Sequence, residues 1–218
     1  MRPSSEESGN VLLIVLLLTF LFSALAIGTA TAVGVEITMA ARGREGTEAL
    51  YVAEAGLALA IAGLRPLADW TPVLQGLVRS AASLGPFAGP AAVAGGGSIL
   101  LCCGGTSVGG RLARESAVSG VPARRTLTWQ PFLWSTWDAL VTQPVRGQIF
   151  VVALVQDDEE DGDADPATDL NGIVVVRSEA LRPDGLRRVV EGLLTRVPGD
   201  PDHGVPPGVR LLAWREVR

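Results

Sequence analysis

The feature that most constrains this chain is an unbroken helix-forming stretch over residues 10–64. Its first part, residues 10–35, is apolar and uncharged, and its second part, residues 36–64, is amphipathic and contains no proline. A continuous helix of this length would extend about 80 Å at about 1.5 Å per residue. The hydrocarbon core of a bilayer is only about 30 Å thick. The first part therefore predicts a transmembrane segment, and the second part must leave the lipid and pack elsewhere.

The amphipathic part predicts the spine of a folded domain. Pro66 ends the helix, because the residue before a proline resists the α conformation. Apolar positions recur at helical spacing along one face of the preceding residues. These positions are Leu50, Ala53, Leu57, Ile61 and Leu64.

The C-terminal half predicts an antiparallel sheet. Four segments are rich in β-branched and apolar residues and are separated by turn-rich connections. They are residues 148–155, 172–178, 187–197 and 209–217. One long helix followed by a run of strands predicts an α+β fold with the sheet packed on the amphipathic half of the helix. Residues 65–218 form this domain, and it includes a Gly-rich loop region over residues 85–120.

Composition excludes several classes of function. The formal net charge is −5, so no basic surplus predicts nucleic-acid binding. His203 is the one histidine, and no nucleophile–base pair is visible, so the sequence does not predict an enzyme. No lysine follows the glycines of residues 104–110, which excludes a phosphate-binding Walker loop.

Two clusters of side chains leave alternatives open. Cys102 and Cys103 are adjacent and could close only a strained ring, so we expect two buried or free thiols. A vicinal redox disulfide and an intermolecular bridge are the alternatives. A cluster of aromatic residues is either a core patch or an exposed surface that docks on a partner. Its members are Trp129, Phe132, Trp134 and Trp137.

Residues 157–172 form the acidic cluster of the chain. An EF-hand is not expected, because Thr168 stands where a bidentate glutamate belongs. Two interpretations remain, namely a solvated hairpin loop and a looser calcium site with several oxygen ligands. The candidate calcium ligands are Asp161, Asp163, Asp165 and Asp169. No other cofactor is predicted.

A family resemblance rests on three features at a fixed spacing. Residues 1–9 form a short polar leader that ends in Gly9, and the apolar span begins directly after it. A signature of the form aromatic-x-Ala-Glu-Ala-Gly-Leu then follows. It is matched by Tyr51, Ala53, Glu54, Ala55, Gly56 and Leu57. In these features the chain resembles the PilX-type minor pilins of type IV pili, within the wider pilin and pseudopilin superfamily.

The resemblance implies a processed structural subunit. A prepilin peptidase would cut between Gly9 and Asn10, and Asn10 would become an N-methylated terminus. The fold would be type IV pilin-like, in a single-pass protein of the bacterial inner membrane with a periplasmic C-terminal domain. The subunit would join a surface pilus, with other pilin or minor pilin subunits and the inner-membrane assembly machinery as its partners. Its role would be filament assembly through the N-terminal helix, in support of adhesion or motility.

One departure refines this expectation. Major pilins carry a glutamate at the fifth mature position, where this chain has Ile14. An isoleucine cannot neutralise the terminal amine of a neighbouring subunit, which favours a minor subunit over a repeating one. Two alternatives stay open at this level. They are a cleaved signal peptide with an A-x-A site among Ala24, Ala26 and Ala30, and a single-pass membrane-anchored binding or sensory domain.

Overall fold

The structure is a computed structural model. It describes residues 6–92, 98–102, 107–112, 129–141, 148–158, 162, 165–199 and 207–217. The chain divides into two compact units, Met1–Glu45 and Gly46–Arg218. Helix α1, Glu6–Leu64, contributes its first part to the first unit and its last part to the second.

In the first unit, α1 presents an apolar surface. All side chains of residues 10–44 are exposed. Threonine hydroxyls in this part donate hydrogen bonds to carbonyls of the preceding turn, for example Thr29 to Ala26 at 3.0 Å and Thr31 to Gly28 at 2.8 Å. The hydroxyl protons of these threonines are therefore satisfied within the helix, as they would have to be in lipid. Within the described residues, Asn10–Leu64 is the one helix that is long and apolar enough to cross a membrane, a test that N-terminal signal sequences also pass.

The second unit is built on a five-stranded antiparallel sheet in which each strand pairs with the next in sequence. Its strands are β3 (Gln130–Thr136), β4 (Phe150–Asp157), β5 (Ile173–Leu181), β6 (Arg187–Val197) and β7 (Gly208–Val217). The smaller elements are α2 (Thr71–Leu74), a two-stranded sheet of β1 (Pro90–Ala92) and β2 (Ser98–Leu100), and α3 (Trp137–Leu140). Residues 108–112 are also helical. The predicted α+β architecture is confirmed, and β3 is a strand that the sequence did not predict.

One face of the sheet packs on α1. The buried helix residues follow the predicted stripe and are joined by Ala49, Val52 and Ala60. They meet alternating strand residues such as Val151, Val176 and Val190. Alternation is expected because successive side chains of a strand point to opposite faces.

The other face of the sheet carries a second core. Phe150, Val152 and Leu154 of β4 pack there with Leu101 and Val108. The aromatic cluster contributes to both cores. Phe132 is buried on the helix side, Trp137 packs against that core, and Trp129 and Trp134 pack against the second core. This agrees with the core-patch interpretation of these residues.

The expectation of free thiols is wrong for Cys102. This residue is half-buried and disulfide-bonded. The chain contains one other cysteine, Cys103, which lies outside the described residues. Ring strain between neighbouring cysteines is therefore not a sufficient argument against a bridge at this position.

Candidate functional site

The predicted processing junction lies at the start of α1. Gly9 and Asn10 are both helical, and the side chain of Asn10 is exposed.

Ile14 lies one helical turn beyond Asn10. Residues four apart lie on the same face of a helix, so Ile14 and Asn10 are neighbours on the surface of α1. The side chain of Ile14 is 54% exposed. An apolar group thus occupies the position from which an acid would reach a terminal amine.

The signature segment divides into a buried half and an exposed half. Ala53, Gly56 and Leu57 are buried in the second unit, whereas Tyr51 is 64% exposed. Glu54 and Ala55 are half-buried. The periodicity of the helix separates the two halves, because positions 53, 56, 57 and 60 face the sheet together.

Gly56 is required by the closeness of the helix to the sheet. A Cβ atom added at Gly56 would lie 2.2 Å from Cγ2 of Val151 and 2.4 Å from Oγ of Ser178. The next residue of the signature makes the reciprocal contact. A Cβ added at Gly192 of β6 would lie 3.2 Å from Cδ2 of Leu57. Small residues on both elements therefore allow α1 to lie directly on β4, β5 and β6.

Tyr51 belongs to a face of α1 that the second unit leaves exposed. Thr47, Ala58, Ala62 and Arg65 are exposed on the same side of the helix. Tyrosine is the one large aromatic side chain of this face, and tyrosines are enriched where proteins contact partners. Tyr51 is thus the signature residue whose side chain is available for a contact outside the chain.

Of the predicted calcium ligands, Asp161 and Asp163 lie outside the described residues. The carboxylate of Asp165 accepts hydrogen bonds from the N–H of Ala167 at 3.1 Å and from Oγ1 of Thr168 at 2.9 Å. Both oxygens therefore stabilise a local turn. In the described part of the chain, no group of three or more His, Cys, Asp or Glu side chains is arranged to hold a metal ion. Calcium binding remains a prediction.

Asp169 has a structural role in the described fold. Its Oδ1 accepts a hydrogen bond from the N–H of Gly172 at 2.7 Å, and its own N–H donates to Oγ1 of Thr71 at 3.2 Å. It thereby fixes the turn before β5 and connects it to α2. Burial raises the pKa of this carboxyl above its ordinary range, against the opposing effects of the Gly172 N–H and of Arg196.

Sequence reasoning missed a cluster of buried charges on the face of the sheet opposite α1. Glu179 is fully buried and accepts hydrogen bonds from Arg111 at 3.0 Å, Arg177 at 2.9 Å and Arg187 at 2.9 Å. Glu191 accepts from Arg177 at 3.0 Å and from Arg215 at 2.6 Å. These contacts hold the helical residues 108–112 on the sheet through Arg111. We call these six residues the arginine–glutamate cluster.

A signal for this cluster was present in the sequence. Arg177 and Glu179 stand two positions apart in a largely apolar strand, and this spacing puts both on one face. Glu191 lies directly across from Arg177 in the register of β5 and β6. Only the pairing of β5 with β6 brings Glu191 next to Arg177, and a local sequence pattern does not reveal this pairing.

A cavity of about 390 Å³ adjoins the cluster, and its walls include Arg111, Arg182 and Arg187. Arg111 and Arg187 are hydrogen-bonded to Glu179, and Arg182 pairs with Asp184 at 3.1 Å. Each of these three arginines is therefore engaged by an acid of the same chain. The cavity has no pair of groups placed for nucleophilic or acid–base chemistry among its lining residues.

No protein-family model, no curated protein and no solved structure matches this chain. Its function is therefore inferred from its own residues. Two features are combined in one helix, namely an exposed apolar part over residues 10–35 and a signature segment that packs on an antiparallel sheet.

Proposed function

We propose that this chain is a minor pilin or pseudopilin subunit of the PilX type. It is a non-enzymatic protein that is anchored in the bacterial inner membrane by α1, with its C-terminal domain in the periplasm. It takes part in the assembly of a type IV pilus or a related filament. The observation that carries this proposal is the continuity of α1 from Glu6 to Leu64, exposed and apolar in its first part and buried as a core spine in its last part.

The physical argument concerns what covers the apolar part of α1. Burial of apolar surface is worth about 25 cal/mol per Å², so a helix with leucines, isoleucines and phenylalanines exposed along several turns is not stable in water. Lipid covers this surface while the subunit is in the membrane. Helices of neighbouring subunits cover it in a filament. Small residues toward the end of the span, including Gly28, Ala30 and Gly34, permit close approach of another helix.

The signature segment supports the same proposal from the second unit. Gly56 and Leu57 allow α1 to lie directly on the sheet. The resemblance implies the same packing of a helix on an antiparallel sheet. Tyr51 remains exposed and is available for contact with a neighbouring subunit. Ile14 favours a minor subunit over a major one, because its side chain supplies no charge to attract the terminal amine of a neighbouring subunit.

The substitution Gly9→Leu tests processing. In cells that contain the prepilin peptidase, we expect the wild-type chain to lose residues 1–9 and the variant to retain them, because cleavage follows a glycine in this family. The intact mass of the purified protein measures the difference. Gly34→Leu is the matched control, since Gly34 is exposed in the same helix with no atom within 4 Å of an added Cβ. It should be processed like the wild type.

A second candidate function fits the same anchor. A single-pass binding or sensory domain would also carry one apolar helix and an α+β domain beyond it. Such a protein would keep its N-terminus or lose it to a signal peptidase. If Gly9→Leu leaves the mature mass unchanged relative to the wild type, the pilin proposal fails and the anchored-domain function takes its place.

A further inference from the structure

The two edges of the five-stranded sheet differ. The outer edge of β3 is covered by the chain itself, because the N–H of Ser80 donates to the carbonyl of Phe132 at 2.8 Å and that of Leu84 to Trp134 at 2.9 Å. The outer edge of β7 pairs with no strand in the described part of the chain. Alternate N–H and C=O groups of an edge strand point away from its neighbour and can pair with another strand.

The side chains of β7 add an apolar surface to this edge. Leu211, Leu212 and Trp214 are each more than 40% exposed in the second unit. Leu211 and Trp214 lie opposite Leu194 and Gly192 of β6, on the side of the sheet that packs on α1. An exposed edge strand with large apolar side chains is a place where another chain can extend a sheet.

Two arginines on β7 define the charge of this edge. Arg210 and Arg215 lie opposite Thr195 and Glu191 of β6, so both are on the face that points away from α1. Both arginines are exposed, and Arg215 pairs with Glu191. On β6, the residues opposite the two arginines, Thr195 and Glu191, are four positions apart. A regular strand added on the other side of β7 would by the same geometry place two of its own side chains, four positions apart, next to Arg210 and Arg215.

The same arginines disfavour a second copy of this chain as the occupant. In an antiparallel pair of β7 strands related by a two-fold axis, the α1-facing side chains of both copies lie on the same side of the joined sheet when Leu211 of one copy is opposite Trp214 of the other. Arg210 then lies opposite Arg215, and like charges directly opposite each other are destabilising.

We infer that the free edge of β7 is a docking site for an extended strand of a different protein. That strand is apolar on the side facing Leu211 and Trp214, and it carries acidic residues four positions apart beside Arg210 and Arg215. Main-chain hydrogen bonds supply the affinity and the two arginines supply the selectivity. This site is independent of the proposed filament function, because it involves neither the apolar part of α1 nor the processing junction.

A defined peptide tests the site on the full chain in detergent micelles. The probe is a short synthetic strand in which valine and threonine alternate, with two glutamates four positions apart and a fluorescent label. We expect saturable binding by fluorescence anisotropy and slower hydrogen exchange at amides of residues 208–217. Arg210→Glu should weaken binding at least about tenfold, because it places like charges side by side. Arg65→Glu changes an exposed arginine directly after α1; it is the matched control and should bind like the wild type.

Two further probes identify the occupant. A peptide with lysines in place of the glutamates, and one with N-methylated backbone amides, should each bind at least about tenfold more weakly. Equal binding of either peptide, or no binding of the first one, would overturn the inference. A disulfide-linked dimer formed by Leu212→Cys in the absence of peptide would identify a second copy as the occupant and would also overturn it.

Discussion

Gly56 is a residue at which α1 lies directly on the sheet in the second unit. Any larger side chain must displace Val151, which is β-branched and stiff at χ1, and Ser178 on the next strand. The same residue belongs to the segment that resembles a pilin signature. The resemblance at this position thus has a structural cause, which is the need for a residue without a Cβ where the helix crosses the sheet.

The substitution Gly56→Ala should therefore destabilise the protein by about 1–3 kcal/mol through overpacking. The change opposes intrinsic propensity, because alanine favours a helix over glycine by about 1 kcal/mol. Urea unfolding of the full chain in detergent micelles, followed by tryptophan fluorescence, measures the effect. Gly43→Ala is the control in the same helix, where an added Cβ meets nothing within 4 Å, and it should be neutral or stabilising. A Gly56→Ala protein as stable as the wild type would contradict the close contact.

Asp169 is a buried carboxylate whose environment favours its neutral form. A raised pKa in the folded state means that the folded protein binds the proton more tightly than the unfolded chain. This group therefore contributes less stability above its folded pKa and gains stability as the pH falls toward the ordinary pKa of aspartate. An asparagine at this position would keep the oxygen that accepts from the N–H of Gly172 without the charge.

We expect Asp169→Asn to raise the melting temperature at neutral pH. The gain over the wild type should shrink as the pH is lowered, since the wild-type carboxyl then becomes neutral as well. Thermal unfolding at a series of pH values checks this. Asp138→Asn changes an exposed aspartate in the first turn of α3 and should show no comparable pH-dependent gain. If Asp169→Asn were destabilising at every pH, the ion pair with Arg196 would outweigh the burial of the charge.

At the scale of elements, α1 and the antiparallel sheet followed from the sequence. The uninterrupted helical pattern up to Pro66 and the runs of β-branched residues each specify one element locally. Strand β3 was missed because it contains Pro131, which breaks the usual strand pattern. The register irregularity between Pro131 and Leu133 accommodates this proline in a way that no local pattern predicts.

The arginine–glutamate cluster depends on the pairing of elements, and it was not predictable for the same reason. Arg111, Glu179 and Glu191 are far apart in sequence and meet only because β5 pairs with β6 and residues 108–112 lie on the sheet. The expected acidic site was assigned from a local run of aspartates. In the fold, Asp165 and Asp169 each stabilise a turn. A pattern of charges in the sequence alone cannot tell aspartates that stabilise turns from aspartates that bind a metal ion.

The substitution Glu179→Gln tests how strongly the cluster holds these elements together. Removal of the charge of Glu179 takes away the carboxylate that Arg111, Arg177 and Arg187 share. Breaking a buried ion pair in this way typically lowers the free energy of unfolding by about 3 kcal/mol. Urea unfolding measures the change. Glu216→Gln is the matched control, because Glu216 forms a partly exposed pair with Arg188 at 3.5 Å and such pairs are worth under about 1 kcal/mol. Equal effects of the two substitutions would show that the cluster is no stronger than a surface pair.

At the scale of the whole molecule, the chain combines an apolar helix segment with an acidic domain. The net charge of −5 lies entirely outside the uncharged span of residues 10–35. In the proposed function, lipid or neighbouring helices cover the span, whereas the sheet domain has its own two cores, and the β7 edge of its five-stranded sheet pairs with no strand among the described residues. Assembly through α1 and docking at β7 would therefore be separate events on separate surfaces.

The mature N-terminus provides the most direct test of a pilin-type subunit. Mass spectrometry of the N-terminal peptide, from protein produced with the prepilin peptidase, identifies the first residue and its modification. We predict a chain that begins at Asn10 and carries a methyl group on its terminal amine. A terminus at Met1, or one that begins after the alanines between residues 24 and 30, would contradict a pilin-type subunit.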